Sequence, residues 1–153
     1  LGRRTRNFEY DSLDRLTAES DASRSLVYSF QYDSIGNMTY KSDIGFMAYG
    51  ENGTLSLTRP HAVTRAAGST YRYDANGNLI SVLGTKNKSL TYDFENRLTQ
   101  FKEGDTITSF AYDGDGGRVR KSTVHSQQST ETTYIGSLFE IDSSGKTTKH
   151  IFA

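Results

Sequence analysis

The sequence predicts an all-β protein: tandem β-hairpin repeats of about 20 residues, stacked into a curved, spiralling antiparallel sheet. Three observations predict it. A Tyr-Asp motif recurs along most of the chain, beginning at Tyr10, Tyr32, Tyr73, Tyr92 and Tyr112, so that successive spacings are 22, 41, 19 and 20. Aromatic and apolar residues alternate just before each pair, which is the period of a strand. No stretch of ten or more residues keeps the three-and-four apolar spacing of a helix.

The clearest copy runs from Tyr71 to Ile80 and reads Tyr-Arg-Tyr-Asp-Ala-Asn-Gly-Asn-Leu-Ile. Two residues before each repeat tyrosine stands Phe8, Phe30, Tyr71, Leu90 or Phe110, placing two large side chains on one face of the incoming strand. The Asp then opens an Asp-x-x-Gly turn, with Asp33 and Gly36, Asp74 and Gly77, and Asp113 and Gly116 at its first and fourth positions. An Asp there accepts a backbone hydrogen bond from two residues on, and a fourth-position Gly tolerates positive φ. After Asp11 and Asp93 the fourth residue is Asp14 or Asn96, the residue types that best substitute for glycine in a left-handed conformation. The return strand opens on Leu16, Met38, Leu79 or Leu98, five residues after the Asp. In the last copy Val119 comes six after Asp113, which predicts a one-residue bulge near Gly117 and Arg118.

These copies resemble the YD repeat of the Rhs and polymorphic-toxin family. Its members include wall-associated proteins, the B and C components of insecticidal toxin complexes and, as animal relatives, the teneurins. The resemblance covers nearly the whole chain, and Arg59-Pro60-His61-Ala62-Val63 is similar to a segment found between such repeats. It implies a shell fragment over residues 1–153, with repeats near 8–29, 30–50, 71–89, 90–109 and 110–133, a degenerate copy over 134–153, and an irregular stretch over 51–70. Both ends read as cut: Leu1-Gly2-Arg3-Arg4-Thr5 matches the second half of a turn, and Lys149-His150-Ile151-Phe152-Ala153 reads as the start of another strand.

Between the clear copies, Leu26, Tyr28, Phe30 and Tyr32 alternate as in a half-buried strand, and Asp21-Ala22-Ser23-Arg24-Ser25 before them reads as a turn. Phe46-Met47-Ala48-Tyr49 could form a strand with Gly50-Glu51-Asn52-Gly53 as its turn, filling the wide gap in the spacing, and Pro60 points to an edge or loop. Thr85-Lys86-Asn87-Lys88 and Lys102-Glu103-Gly104-Asp105 read as polar tips joining one hairpin to the next, and Tyr134 to Ile141 as the degenerate repeat. Isolated hairpins are marginal in water, so the units must stack on one another.

Composition narrows the function. Eighteen basic and eighteen acidic residues leave no net charge to attract nucleic acid, and no apolar run approaches membrane-spanning length. With no Cys, disulfides and thiolate chemistry are excluded. Leu, Ile, Val and Phe make up only about a fifth of the chain, a deficit that ten tyrosines offset in buried area. Asp113-Gly114-Asp115-Gly116-Gly117 has the look of a calcium loop but lacks its later acidic ligands, and the repeat turn accounts for the same residues. His61, His125 and His150 have no metal-ligand or nucleophile spacing, and a fixed hydrogen bond is the expectation for His61. There is no Gly-x-Ser-x-Gly elbow.

The expectation is therefore a non-enzymatic structural wall with no cofactor and no metal. Its working residues are Tyr10, Tyr32, Tyr73, Tyr92 and Tyr112 for packing, Asp11, Asp33, Asp74, Asp93 and Asp113 for the turns, and Gly36, Gly77 and Gly116. The resemblance implies that the wall encloses and helps deliver a C-terminal effector of a secreted or surface-displayed bacterial protein. The implied partners are the rest of the shell and the enclosed toxin domain, with self-association through open sheet edges as a further one. The alternative is a carbohydrate or cell-surface binding module, because tyrosines flanked by Asp, Asn and Arg suit sugar recognition. That reading requires a cluster of exposed tyrosines.

Overall fold

The computed structural model describes residues 5–23, 25–50 and 59–151, and all regular structure among them is β-strand. The chain folds as two compact units, residues 1–70 and 71–153. In the first unit, β1 (Arg6–Tyr10), β2 (Leu16–Asp21), β3 (Leu26–Tyr32), β4 (Met38–Lys41) and β5 (Gly45–Phe46) pair in sequence order, every neighbour antiparallel. The chain breaks at Met47, whose amide donates to the Thr39 carbonyl at 2.8 Å, and resumes as β6 (Ala48–Tyr49). The single strand expected over Phe46 to Tyr49 is thus two short ones. β6 pairs with β7 (Val63–Ala66), which turns through Ala67 and Gly68 into β8 (Ser69–Tyr73). A strand therefore occupies part of the stretch expected to be irregular, while Pro60 lies in a turn, as anticipated. The expected turn over Gly50 to Gly53, the half-turn at residues 1–5 and the last two residues of the C-terminal segment fall wholly or partly outside the described residues.

In the second unit the strands again follow chain order: β9 (Leu79–Leu83), β10 (Lys88–Tyr92), β11 (Leu98–Glu103), β12 (Thr106–Tyr112), β13 (Arg118–His125), β14 (Gln128–Ile135), β15 (Phe139–Asp142) and β16 (Thr147–Lys149). Connections are short because each strand pairs with the next. The polar tips fall between β9 and β10 and between β11 and β12, as the sequence implies. Tyr134 ends in a different turn from the other repeats: Ile135 pairs with Phe139 around Gly136, and the Asp turn comes later, at Asp142. Lys149 closes β16, His150 and Ile151 are not strand, and the rest of the segment expected to start another strand lies outside the described residues.

Register explains the bulge. Tyr10 faces Leu16, Tyr32 faces Met38, Tyr92 faces Leu98 and Tyr112 faces Arg118, and in each hairpin the register shifts by one residue just before the tyrosine. The bulge expected in the last copy is therefore common to all four, and there it falls on Val119. The unpaired residue is Thr17, Thr39, Thr99 or Val119, so the last copy is in step with the others and merely carries Arg118 where they have Leu or Met.

Burial is shallow. Among the described residues one hydrophobic side chain, Val82, is buried, together with Asn37, Thr64 and Thr108. Of the ten tyrosines Tyr10, on the edge strand β1, is 59% exposed and the others are half-buried. Order in these sheets rests less on a dry core than on backbone ladders and the side-chain network at the turns.

Candidate functional site: the ladder of Tyr-Asp turns

Each repeat turn is a small cage around an Asp carboxylate. In the copy at Asp33 the Asp amide donates to the Asn37 carbonyl at 2.9 Å and the Gly36 amide to the Asp33 carbonyl at 3.2 Å. The carboxylate oxygen Oδ1 accepts from the amides of Ile35 at 3.0 Å and Asn37 at 2.8 Å. Asp11, Asp74, Asp93 and Asp113 repeat this geometry with the amides two and four residues on. The fourth residue must be left-handed, and it is: φ is 92° at Gly36 and Gly77, 83° at Gly116, 57° at Asp14 and 61° at Asn96. Asp14 and Asn96 do substitute for glycine as the sequence implied.

The cage sets the charge state. The Arg15 amide is the largest influence holding the Asp11 carboxyl below the usual carboxylate range, and the Asn78 carboxamide plays that part for Asp74. At Asp33 and Asp93 desolvation is the largest single influence and pushes upward, but donation from Asn37 and Arg97 outweighs it and the net shift is downward. All four are thus ionised acceptors, which strengthens the turn bonds.

The fifth residue of the turn joins one repeat to the next. Arg15 donates Nε to Asp11 at 2.7 Å and an Nη to the Asp33 carbonyl at 2.9 Å, and its guanidinium lies 4.8 Å from the centroid of the Tyr32 ring. Arg97 repeats this in the second unit, with Nε 2.8 Å from Asp93, an Nη 3.4 Å from the Asp113 carbonyl and the guanidinium 5.1 Å from the Tyr112 centroid. Its charge is reinforced by the bond to Asp93. Where the fifth residue is Asn the reach is shorter but the logic is the same. Asn78 donates to Asp74 at 3.0 Å and to Asn96 of the next turn at 2.8 Å, and Asn37 donates to Asp33 at 2.8 Å and to the Pro60 carbonyl at 2.9 Å. His61 completes that last link through Nδ1, 2.6 Å from Asn37 Oδ1, the fixed hydrogen bond expected of it.

The tyrosines form a second ladder. Tyr32 donates its hydroxyl to the Leu16 carbonyl at 3.0 Å, Tyr92 to Leu79 at 3.1 Å and Tyr112 to Leu98 at 2.8 Å. Leu16 and Leu98 stand just before the bulge residue of the preceding repeat, and Leu79 holds the same place in its motif, five residues after the turn Asp. Pairing with the following hairpin resumes only at Ala18, Ser81 and Gln100, so those carbonyls lie outside the ladder and the phenol supplies the missing donor. Burial raises the Tyr92 hydroxyl pKa, with the Asp74 charge adding to it, which keeps this group a donor.

Tyr49 makes the same bond, to the Met38 carbonyl at 2.8 Å. It is therefore the repeat tyrosine of the wide gap, hidden from sequence reasoning because Gly50 stands in place of Asp. The fifth-position Arg and Asn residues were visible in the motif but not identified as linkers. Two further Asp cages, at Asp21 and Asp142, sit at connections outside the Tyr-Asp set. His125 bonds Thr106 at 2.8 Å, and His150 Nε2 lies 3.1 Å from Glu140. Among the described residues no group of three or more His, Asp or Glu is placed to hold a metal.

Comparison with known families agrees with this geometry. The model described as Teneurin YD-shell matches residues 47–151, more than half of the chain. The chain belongs to the teneurin YD-shell family. The YD-shell match begins at Met47, two residues before Tyr49, where the hydroxyl ladder places a repeat. The RHS Repeat model matches residues 10–42, from the first Tyr-Asp pair through the second. No curated protein matches the chain. Both matched families are structural repeat families of extracellular or cell-surface proteins. The role of this segment is that of a repeat shell.

Proposed function

We propose that this YD-shell segment is part of a β-wall that encloses a C-terminal effector of a secreted or surface-displayed protein and helps deliver it. Its partners are then the remaining shell and the enclosed domain, and the segment performs no catalysis itself. The observation that carries the reading is where the polar groups go. Tyrosine hydroxyls and fifth-position Arg and Asn side chains reach across to the neighbouring repeat, while each turn carboxylate is taken up by its own turn, which is how a wall is stiffened and not how a ligand is held. The carbohydrate reading needed a cluster of accessible tyrosines, and Tyr10 alone is mainly exposed.

Limited proteolysis of the intact parent protein tests enclosure. The effector region is expected to resist cleavage until the wall is unfolded. Digestion at the rate of the isolated effector domain would overturn the proposal.

A further inference from the structure

Three Asn-x-Ser/Thr triplets occur in the chain: Asn37-Met38-Thr39, Asn52-Gly53-Thr54 and Asn87-Lys88-Ser89. The second lies outside the described residues. Such a triplet is an acceptor for N-linked glycan in an extracellular protein, and the structure separates the two that it describes.

Transfer joins the Asn Nδ2 to the anomeric carbon of a lipid-pyrophosphate-linked oligosaccharide. The N–C bond forms, the C–O bond to the pyrophosphate breaks, and Nδ2 gives up one of its two protons. A glycosylated Asn therefore keeps one N–H donor. Asn37 uses both, to Asp33 Oδ2 at 2.8 Å and to the Pro60 carbonyl at 2.9 Å, while its Oδ1 lies 2.6 Å from His61 Nδ1 and the residue is only 7% exposed. A sugar there removes a link between the Asp33 turn and the Pro60 segment and has no room. Asn87 is the reverse case. It is exposed on the tip between β9 and β10, and its carboxamide makes one bond, in which Oδ1 accepts the Gly84 amide at 3.2 Å. Nδ2 has no partner among the described residues, and that bond survives substitution at nitrogen. Ser89 is also exposed.

We propose that Asn87 is an N-glycan acceptor of this chain on a eukaryotic secretory pathway, and that Asn37, despite its triplet, is a fold-locked position that carries no glycan in the native protein. The inference rests on the extracellular character of the family and is independent of whether the wall encloses an effector.

The test is expression of the whole chain behind a cleavable signal peptide in a eukaryotic cell. Site occupancy is mapped by glycosidase release in heavy-oxygen water and mass spectrometry, in both the secreted and the retained fractions. Asn87 is expected to be occupied in both fractions, and Asn37 bare in the secreted one. Asn87→Gln should remove that label without changing the thermal midpoint. An unmodified Asn87 in both fractions, or glycan on Asn37 in secreted protein, would overturn the proposal.

Discussion

The Tyr112 hydroxyl donates to the Leu98 carbonyl at 2.8 Å across two successive repeats, closing a gap where the backbone ladder between those repeats has not yet begun. The same relationship recurs at Tyr32, Tyr49 and Tyr92, so it is a property of the repeat.

Removing that hydroxyl isolates its worth. Tyr112→Phe keeps the ring and the Arg97 contact but orphans a partly buried carbonyl, for a cost of about 1 kcal/mol and a fall in Tm of roughly 2–4 °C. Tyr10→Phe, on the exposed edge strand, should change neither. Thermal unfolding followed by circular dichroism compares the two, and an equal effect would mean that the hydroxyl bond is not the source.

Acid should loosen the turns. The carboxyls of Asp11, Asp33, Asp74 and Asp93 have folded pKa values below their ordinary ones. A depressed folded pKa means that the contribution is fully present above the unfolded value, about 3.9, and is lost as pH falls through the folded values. Tm should be level from neutral pH to about pH 5 and decline below about pH 4. Asp74→Asn should start lower at neutral pH and lose less on acidification. A parallel decline in variant and wild type would show that this carboxylate is not among the titrating groups.

Gly117 marks a missing rung. Its counterparts Arg15, Asn37, Asn78 and Arg97 donate to the turn Asp, whereas at Gly117 the Asp113 carboxylate occupies the vacant space, 2.8 Å from where a β-carbon would sit. The obstructing atom is the end of a rotatable side chain, so Gly117→Asn should turn it into the position seen at Asp74 and regain a bond worth on the order of 0.5 kcal/mol. A lower midpoint in denaturant would mean that the carboxylate does not move aside.

The tip joining β13 and β14 carries avoidable strain. Ser126 and Gln127 both have positive φ, 45° and 70°, in a two-residue turn closed by His125 and Gln128. Asn-Gly suits that conformation, and Ser126→Asn with Gln127→Gly should stabilise by about 1 kcal/mol. An unchanged or lower denaturation midpoint would show that the tip is already relaxed in its native sequence.

What was legible in the sequence was everything local. Asp, then Gly or Asn three residues later, then an apolar residue describes a turn whose dihedral angles are decided within five residues, and the alternation of Phe30 and Tyr32 decides which way their rings face. The hairpins of the clear copies and their Tyr-Asp turns followed from these rules. The hidden copy at Tyr49 did not, because its local signature is lost and only its long-range bond to Met38 reveals it. Nor did the common bulge, which exists in the pairing of two strands and not in either one. The linking roles of Arg15, Asn37, Asn78 and Arg97 and the contrast between Asn37 and Asn87 likewise depended on which neighbour the fold brings within hydrogen-bonding distance. Local chemistry determined each hairpin by itself, and the tertiary structure decided which polar group of one repeat satisfies which orphan of the next.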